Sequence, residues 1–184
     1  MKRTFSIGGV HPADNKISRG CAIETLPTPP TVYISVSQHI GAPAKPIVAV
    51  GDKVLTGQPV AEPGGFVSVY IHSSVSGTVK SIGPRKDLAG NMQTCIEIQV
   101  EGDEWVEGID RTDTLVTEFT DDNKTIMDKI KMGGVVGLGG ATFPTHVKLS
   151  PPPGKKCDML IINVNVSLTL LLTSVLFSKR ESRL

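Results

Sequence analysis

The residues with the most chemistry lie in one stretch, GGVVGLGGATFPTHVKL, from Gly133 to Leu149. It sets five glycines within eight residues and follows them with Pro144, His146 and Lys148. Closely spaced glycines let backbone N–H groups come near a phosphate, because no Cβ intervenes and positive φ is open to them. Lys148 can add a point charge to the same anion. The stretch is not a P-loop, since no G-K-[ST] closes it, and it lacks the dinucleotide spacing G-x-G-x-x-G. Spacing alone is compatible with a phosphate site and does not require one. His146 reads as a hydrogen-bonded loop histidine rather than a catalyst, and no residue is assigned a catalytic role.

Other reactive side chains are dispersed. His11, His39 and His72 sit in separate segments with no carboxylate or cysteine at ligand spacing, so no metal site is expected. Cys21, Cys95 and Cys157 are an odd count without a CxxC, which fits neither a disulfide framework nor an iron–sulfur site within this sequence. Asp103, Glu104 and Glu107 around Trp105 read as a solvated face. A net charge of +1 and an aromatic share of 4% give no case for nucleic acid, which needs a basic patch or stacking platforms. MKRTFSIGGVHP lacks the apolar core of a secretory signal. The apolar run from Val166 to Phe177 is too short for a bilayer, which takes roughly 20 residues.

The elements that must position these residues are mostly β. Residues 1–30 are an extended arm whose prolines at 12, 27, 29 and 30 remove donors. Over 31–100, short strands alternate with turns. TVYISVSQ puts Val32, Ile34 and Val36 on one face; Gly51-Asp52 and Gly57-Gln58 mark turns; Val48, Val50, Val54 and Val60 are core candidates. FVSVYIHS, SVSGTVKSIG and QTCIEIQV follow as strands, the last two separated by a turn at PRKDLAGNM. Some six strands at turn spacing predict a small barrel or sandwich. Residues 101–120 read as a charged linker. DDNKTIMDKIKMGG predicts a short helix with Asp121 or Asp122 as N-cap, Ile126, Met127 and Ile130 on one face, and Gly133 in the left-handed position after it. With the glycine loop and the buried-type strand CDMLIINV, 121–164 reads as the start of an α/β nucleotide domain.

Two β motifs narrow the fold. VGDKVLTGQPVAE and HSSVSGTVKSI resemble the barrel-sandwich hybrid of lipoyl and biotinyl carrier domains. In those carriers the central hairpin presents a modifiable lysine; here the hairpin is AEPGGFVSVYIHSS, which has none. A hybrid barrel without a prosthetic group is therefore expected, and a carrier would betray itself by a covalent mass increase.

GGVHPADNK, IETLPTPPTVYISVSQHIGAPAKPIVAVGDKVLTGQPVAE, HSSVSGTVKSI and GGVVGLGGATFPTHVKLSPP, in that order over about residues 6–164, resemble the RnfC subunit of the Rnf electron-transport complex. The glycine loop is also similar to the FMN-binding loop of the flavoprotein subunit of respiratory NADH dehydrogenase. The resemblance implies a mainly β chain: a barrel-sandwich hybrid domain, then an α/β domain for FMN and NADH. A β-grasp segment and a module with two 4Fe-4S clusters would follow. It places Gly137, Gly139, Gly140 and Lys148 around the FMN phosphate and isoalloxazine, with Asn163 as a further flavin contact. It implies other subunits of a membrane-bound, ion-translocating NADH:ferredoxin oxidoreductase as partners. The location it implies is peripheral, on the cytoplasmic side of the membrane.

After LIIN the sequence departs from that family. Back-translated with permitted codons and read one base earlier, NVSLTLLLTSVLFSKRESRL becomes ECEPYLTSDFRVILEKGEQI, close to the family's continuation. Residues 165–184 are thus expected to be out of frame, and the sequence to stop short of every cluster cysteine. On this reading the chain is redox-inactive alone; the alternative is a barrel that serves only as a docking module in complex assembly.

Overall fold

The computed structural model describes residues 24–155 apart from 88, 113, 115, 116 and 119, together with 15, 17 and 20–22. The elements lie in one compact unit, Pro27–Ile162. The expected strand at 157–164, Asn163 and the tail fall outside the described residues, as does His11.

Alternation builds the larger sheet. In β1 (Thr31–Ser35) and β7 (Met92–Val100), β-branched residues at every second position give one apolar face. The two strands pair antiparallel with Val32 opposite Ile98 and Ile34 opposite Ile96, so four branched side chains meet on one side. The other side is polar: the Tyr33 hydroxyl donates to Glu97 Oε1 at 3.2 Å and the Ser81 hydroxyl to Glu97 Oε2 at 2.6 Å. Next to β7 runs β6 (Gly77–Lys86), with a bulge between Val79 and Ser81, and then β3 (Lys53–Val54), giving the order β1-β7-β6-β3. A second antiparallel sheet, β2-β4-β5, joins Lys45–Pro46, Pro59–Glu62 and Ile71–His72.

The two sheets close on one core of Ile34, Val36, Ala44, Val54, Val60, Ala61, Ile71, Val79, Ile96 and Ile98. Two short, bulged sheets curled around a core of small branched residues form a barrel-sandwich hybrid.

Several sequence expectations shift. Val50 is not core: it is 63% exposed, because it forms the tip of the turn in which the Ala49 carbonyl accepts from Asp52 N–H at 3.1 Å. FVSVYIHS is strand only at Ile71–His72; Phe66 is exposed on the connection before it. PRKDLAGNM is a turn only from residue 87, since β6 runs on through Pro84 and Lys86 against Met92–Thr94. Of 101–120, the first part is bound to the barrel. Thr56 N–H donates to the Glu104 carbonyl and Val106 N–H to the Thr56 carbonyl, at 2.8 and 3.0 Å.

Candidate functional site

After the barrel comes α1, Asn123–Met132. Asp122 caps it: its side chain accepts from Thr125 N–H at 2.8 Å, satisfying one of the donors that a helix start leaves free. The Thr125 hydroxyl and, after it, the Thr125 N–H hold the Asp122 carboxyl below the ordinary carboxylate range. Ile126, Met127 and Ile130 are half-buried on one face, as their spacing predicts. The left-handed residue after the helix is Gly134, φ +67°, not Gly133, whose φ of −69° is still helical. Gly134 is needed for a second reason. A Cβ there would lie 2.6 Å from the Tyr70 carbonyl oxygen and 3.3 Å from His72 Nδ1, so the helix end rests directly on the barrel.

The glycine stretch then forms a closed loop. Val136 pairs with Pro144; Gly137 N–H donates to the Phe143 carbonyl at 2.9 Å and Thr145 N–H to the Val135 carbonyl at 3.0 Å. Between these bonds the chain reverses over Gly139–Thr142, where Thr142 N–H donates to the Gly139 carbonyl at 3.0 Å. Thr142 has φ +43°, the one positive φ outside glycine among the described residues. For a β-branched residue that conformation is strained by roughly 1–3 kcal/mol, and it is held here by the bonds on either side.

What the loop offers is a row of donors. Among the described residues, no acceptor is hydrogen-bonded to the N–H groups of Leu138, Gly139, Gly140 or Ala141. At Gly139 and Gly140 nothing lies within 4 Å of where a Cβ would stand, so that side of the backbone is open. At Gly137 the opposite holds: Lys148 Nζ occupies the place a Cβ would need. The lysine reaches there from α2, Thr145–Lys148, a single turn whose sole buried residue is His146. Gly137 and Lys148 are thus in contact, while Gly139 and Gly140 form the exposed rim of the same loop. Free N–H groups beside an ammonium suit an anion such as a phosphate monoester.

The loop is seated on the barrel. Ile40 N–H donates to the Ala141 carbonyl at 3.2 Å. His39, buried in the connection after β1, accepts from Val69 N–H on Nε2 at 3.3 Å and faces the Ile40 carbonyl with Nδ1 at 3.2 Å. His146 is buried beside the Phe66 carbonyl. Burial lowers the pKa of His146, the Phe66 carbonyl opposes that, and the charges of Lys131 and His39 lower it further. Burial likewise lowers the pKa of His72, against the pull of the Met132 carbonyl. These barrel residues are 65–100 positions from the loop, and no spacing in the sequence signals the contact. Only the QHIGAPAKP string, specific but without an evident role, lies at the right place.

Residues 4–103 match the family described as the RnfC barrel sandwich hybrid domain. The chain belongs to the RnfC family. Residues 130–173 match a second family, the Nuo51 FMN-binding domain, which takes in the whole glycine loop and α2. Among RnfC relatives, the chain is 46% identical over 165 residues to the C subunit of the proton-translocating ferredoxin:NAD(+) oxidoreductase complex of Clostridium ljungdahlii. It is 42% identical over 161 residues to the Na(+)-translocating counterpart of Acetobacterium woodii. To the C subunit of the ion-translocating oxidoreductase complex of Pseudomonas aeruginosa it is 36% identical over 155 residues. These alignments cover 89%, 85% and 83% of the chain, but 35%, 35% and 20% of the relatives. The chain therefore spans about a third of the length of the two most similar of these.

Proposed function

We propose that the loop Gly137–Phe143 holds the phosphate of FMN, with Gly139 and Gly140 giving backbone donors and Lys148 the charge, and that Asn163 adds a flavin contact. The observation that carries this is the run Leu138–Ala141, whose four N–H groups have no acceptor among the described residues, following the Gly137 that Lys148 covers and inside a stretch that matches an FMN-binding family. FMN, when bound, supplies a centre that takes a hydride from NADH and releases electrons singly to iron–sulfur clusters. This chain's own part is to bind and orient. The loop fixes the anionic end, the open side of Gly139 and Gly140 leaves room for close approach, and the barrel keeps the loop in place.

In the complex, the full-length protein passes electrons between NADH and ferredoxin through FMN and two 4Fe-4S clusters. It does so while attached to the other subunits at the cytoplasmic face of the membrane. The relatives' standing as C subunits of ion-translocating ferredoxin:NAD(+) oxidoreductase complexes supports this reading. Among the described residues no helix is long and apolar enough to cross a membrane. The residues present here are those of the barrel and the glycine loop, so the part of this reading that they carry is flavin binding. The chain's organisation on this reading is an arm (1–30), the barrel (31–100), a linker (101–120) and the start of the flavin domain (121–164). Residues 165–184 are on this reading out of frame, although the FMN-binding match takes in residues 165–173 of that tail.

Titration with FMN, followed by quenching of flavin fluorescence, tests the site. Saturable binding is expected, weakened about tenfold or more in Lys148→Ala, since a charge-assisted hydrogen bond contributes about 1.5–3 kcal/mol. A flat titration of the native chain would favour the docking reading instead. On the barrel, a groove of about 400 Å³ beside Pro29, Pro30, Ser76, Asp103 and Trp105 is the feature that favours such a role.

A further inference from the structure

α2 has two working sides. Residues 146 and 148 are about 200° apart around a helix, so one points into the protein when the other points out. Lys148 lies against Gly137 on the outer side, while His146 is 8% exposed on the inner side, against the barrel connection that precedes β5. A polar ring this deep needs a reason. Its Nδ1 has no hydrogen-bond partner, and the Phe66 carbonyl beside the ring is an acceptor. With Nδ1 unpartnered and the Phe66 carbonyl able only to accept, a neutral ring is best accommodated with its one proton on Nε2.

We infer that His146 is a positioning residue: in its uncharged form it anchors α2 to the barrel, and through α2 it keeps Lys148 in register with the glycine loop. Its bearing on ligand affinity rests on the reading of the loop as the FMN phosphate site. The anchoring itself does not.

The charge requirement follows from what faces the ring. Lys131 approaches from α1 and His39 from the connection after β1; the segment carrying Phe66 contributes a carbonyl and no charge. A proton arriving on Nδ1 would find no acceptor there and the like charge of Lys131 nearby. Burial already holds the pKa of His146 below its ordinary 6.5. The docked state thus binds fewer protons than the undocked one. The contribution of His146 to docking is therefore greatest above pH 6.5 and diminishes as the pH falls below that value. His72, which packs on Gly134 beside the Met132 carbonyl, titrates in the same direction, so the effect of His146 has to be separated by substitution.

The test uses the whole chain and two readouts. One is hydrogen exchange at the Ile40 amide, whose acceptor is the Ala141 carbonyl of the loop; the other is FMN affinity, each measured from about pH 5 to 8. In the native chain, Ile40 protection, corrected for intrinsic exchange, is expected to fall below pH 6.5, and FMN affinity to fall with it by about tenfold. His146→Gln keeps a donor at the Nε2 position without a titrating ring. It should retain protection and lose the part of the pH dependence that His146 causes. His146→Leu should lose protection at every pH while the core amide of Ile98 stays protected. Native-like protection and pH profile in the leucine variant, or a pH profile in the glutamine variant identical to the native one, would overturn the inference. If His146→Leu does not fold, the glutamine profile still decides. Ile40 protection that responds while FMN never binds would sink the flavin reading and leave the anchor standing. FMN binding indifferent to both variants would mean that His146 positions nothing.

Discussion

Lys148 can lie on Gly137 only because that residue has no side chain, whereas Gly139 and Gly140 face open space. The three glycines therefore differ in what a methyl group would do. At Gly137 it would displace the lysine; at the other two it would project into the open side of the loop, where the phosphate is proposed to bind. Gly139→Ala and Gly140→Ala are expected to leave stability within about 0.5 kcal/mol, because they touch nothing in the protein. Both should still weaken FMN binding. Urea denaturation set beside the flavin titration checks this, and a loss of stability without a loss of binding would mean the loop is structural only. The residue that sequence reasoning undervalued is His146. As a lone loop histidine it had no pattern around it, and its burial depends on Phe66, eighty positions earlier.

At the scale of elements, the barrel strands were legible wherever apolar and polar residues alternate. Val32, Ile34 and Val36 share a face because the strand period is two, and Ile96 and Ile98 meet them across the sheet. Alternation cannot tell where a strand stops. Pro84 lies within β6 because β3 pairs only with Gly77 and Thr78, so the outer side of β6 at Pro84 needs no donor. Nor does it separate a valine in a strand from one at a turn tip, as Val50 shows. Ile98→Ala should cost about 3 kcal/mol, since a fully buried branched side chain leaves a cavity that short, pinned strands cannot close. Val50→Ser should cost less than about 0.5 kcal/mol. Equal shifts in the urea midpoint for the two variants would contradict the assigned core.

At the scale of the whole molecule, the barrel doubles as the seat of the loop. Ile40 bonds Ala141, Tyr70 and His72 back Gly134, and the Phe66 carbonyl stands beside His146. The glycine loop would otherwise have, among the described residues, only one short helix and one turn of helix to rest on. The composition of the tail belongs to this scale as well. Resequencing the gene from the codon for Cys157 to about sixty codons beyond Leu184 is expected to restore a reading frame beginning ECEPY after Val164 and to lead into two CxxCxxC clusters, the ligand sets of 4Fe-4S centres. Confirmation of the leucine-rich reading in the source DNA would remove the frame proposal and favour the docking role.

By itself, the sequence determined the β class, the inward faces of the main strands, the helix before the glycine stretch with its aspartate cap, and the family. All of these rest on patterns within some ten residues, or on strings that recur intact. Only the tertiary structure decided that the glycine loop sits on the barrel, that Lys148 covers Gly137, and that His146 is buried beside the Phe66 carbonyl. The first and third depend on which surfaces meet when the chain brings Ile40 to Ala141 and Phe66 to His146, and the second on how the loop closes on α2; no local period in the sequence encodes such meetings.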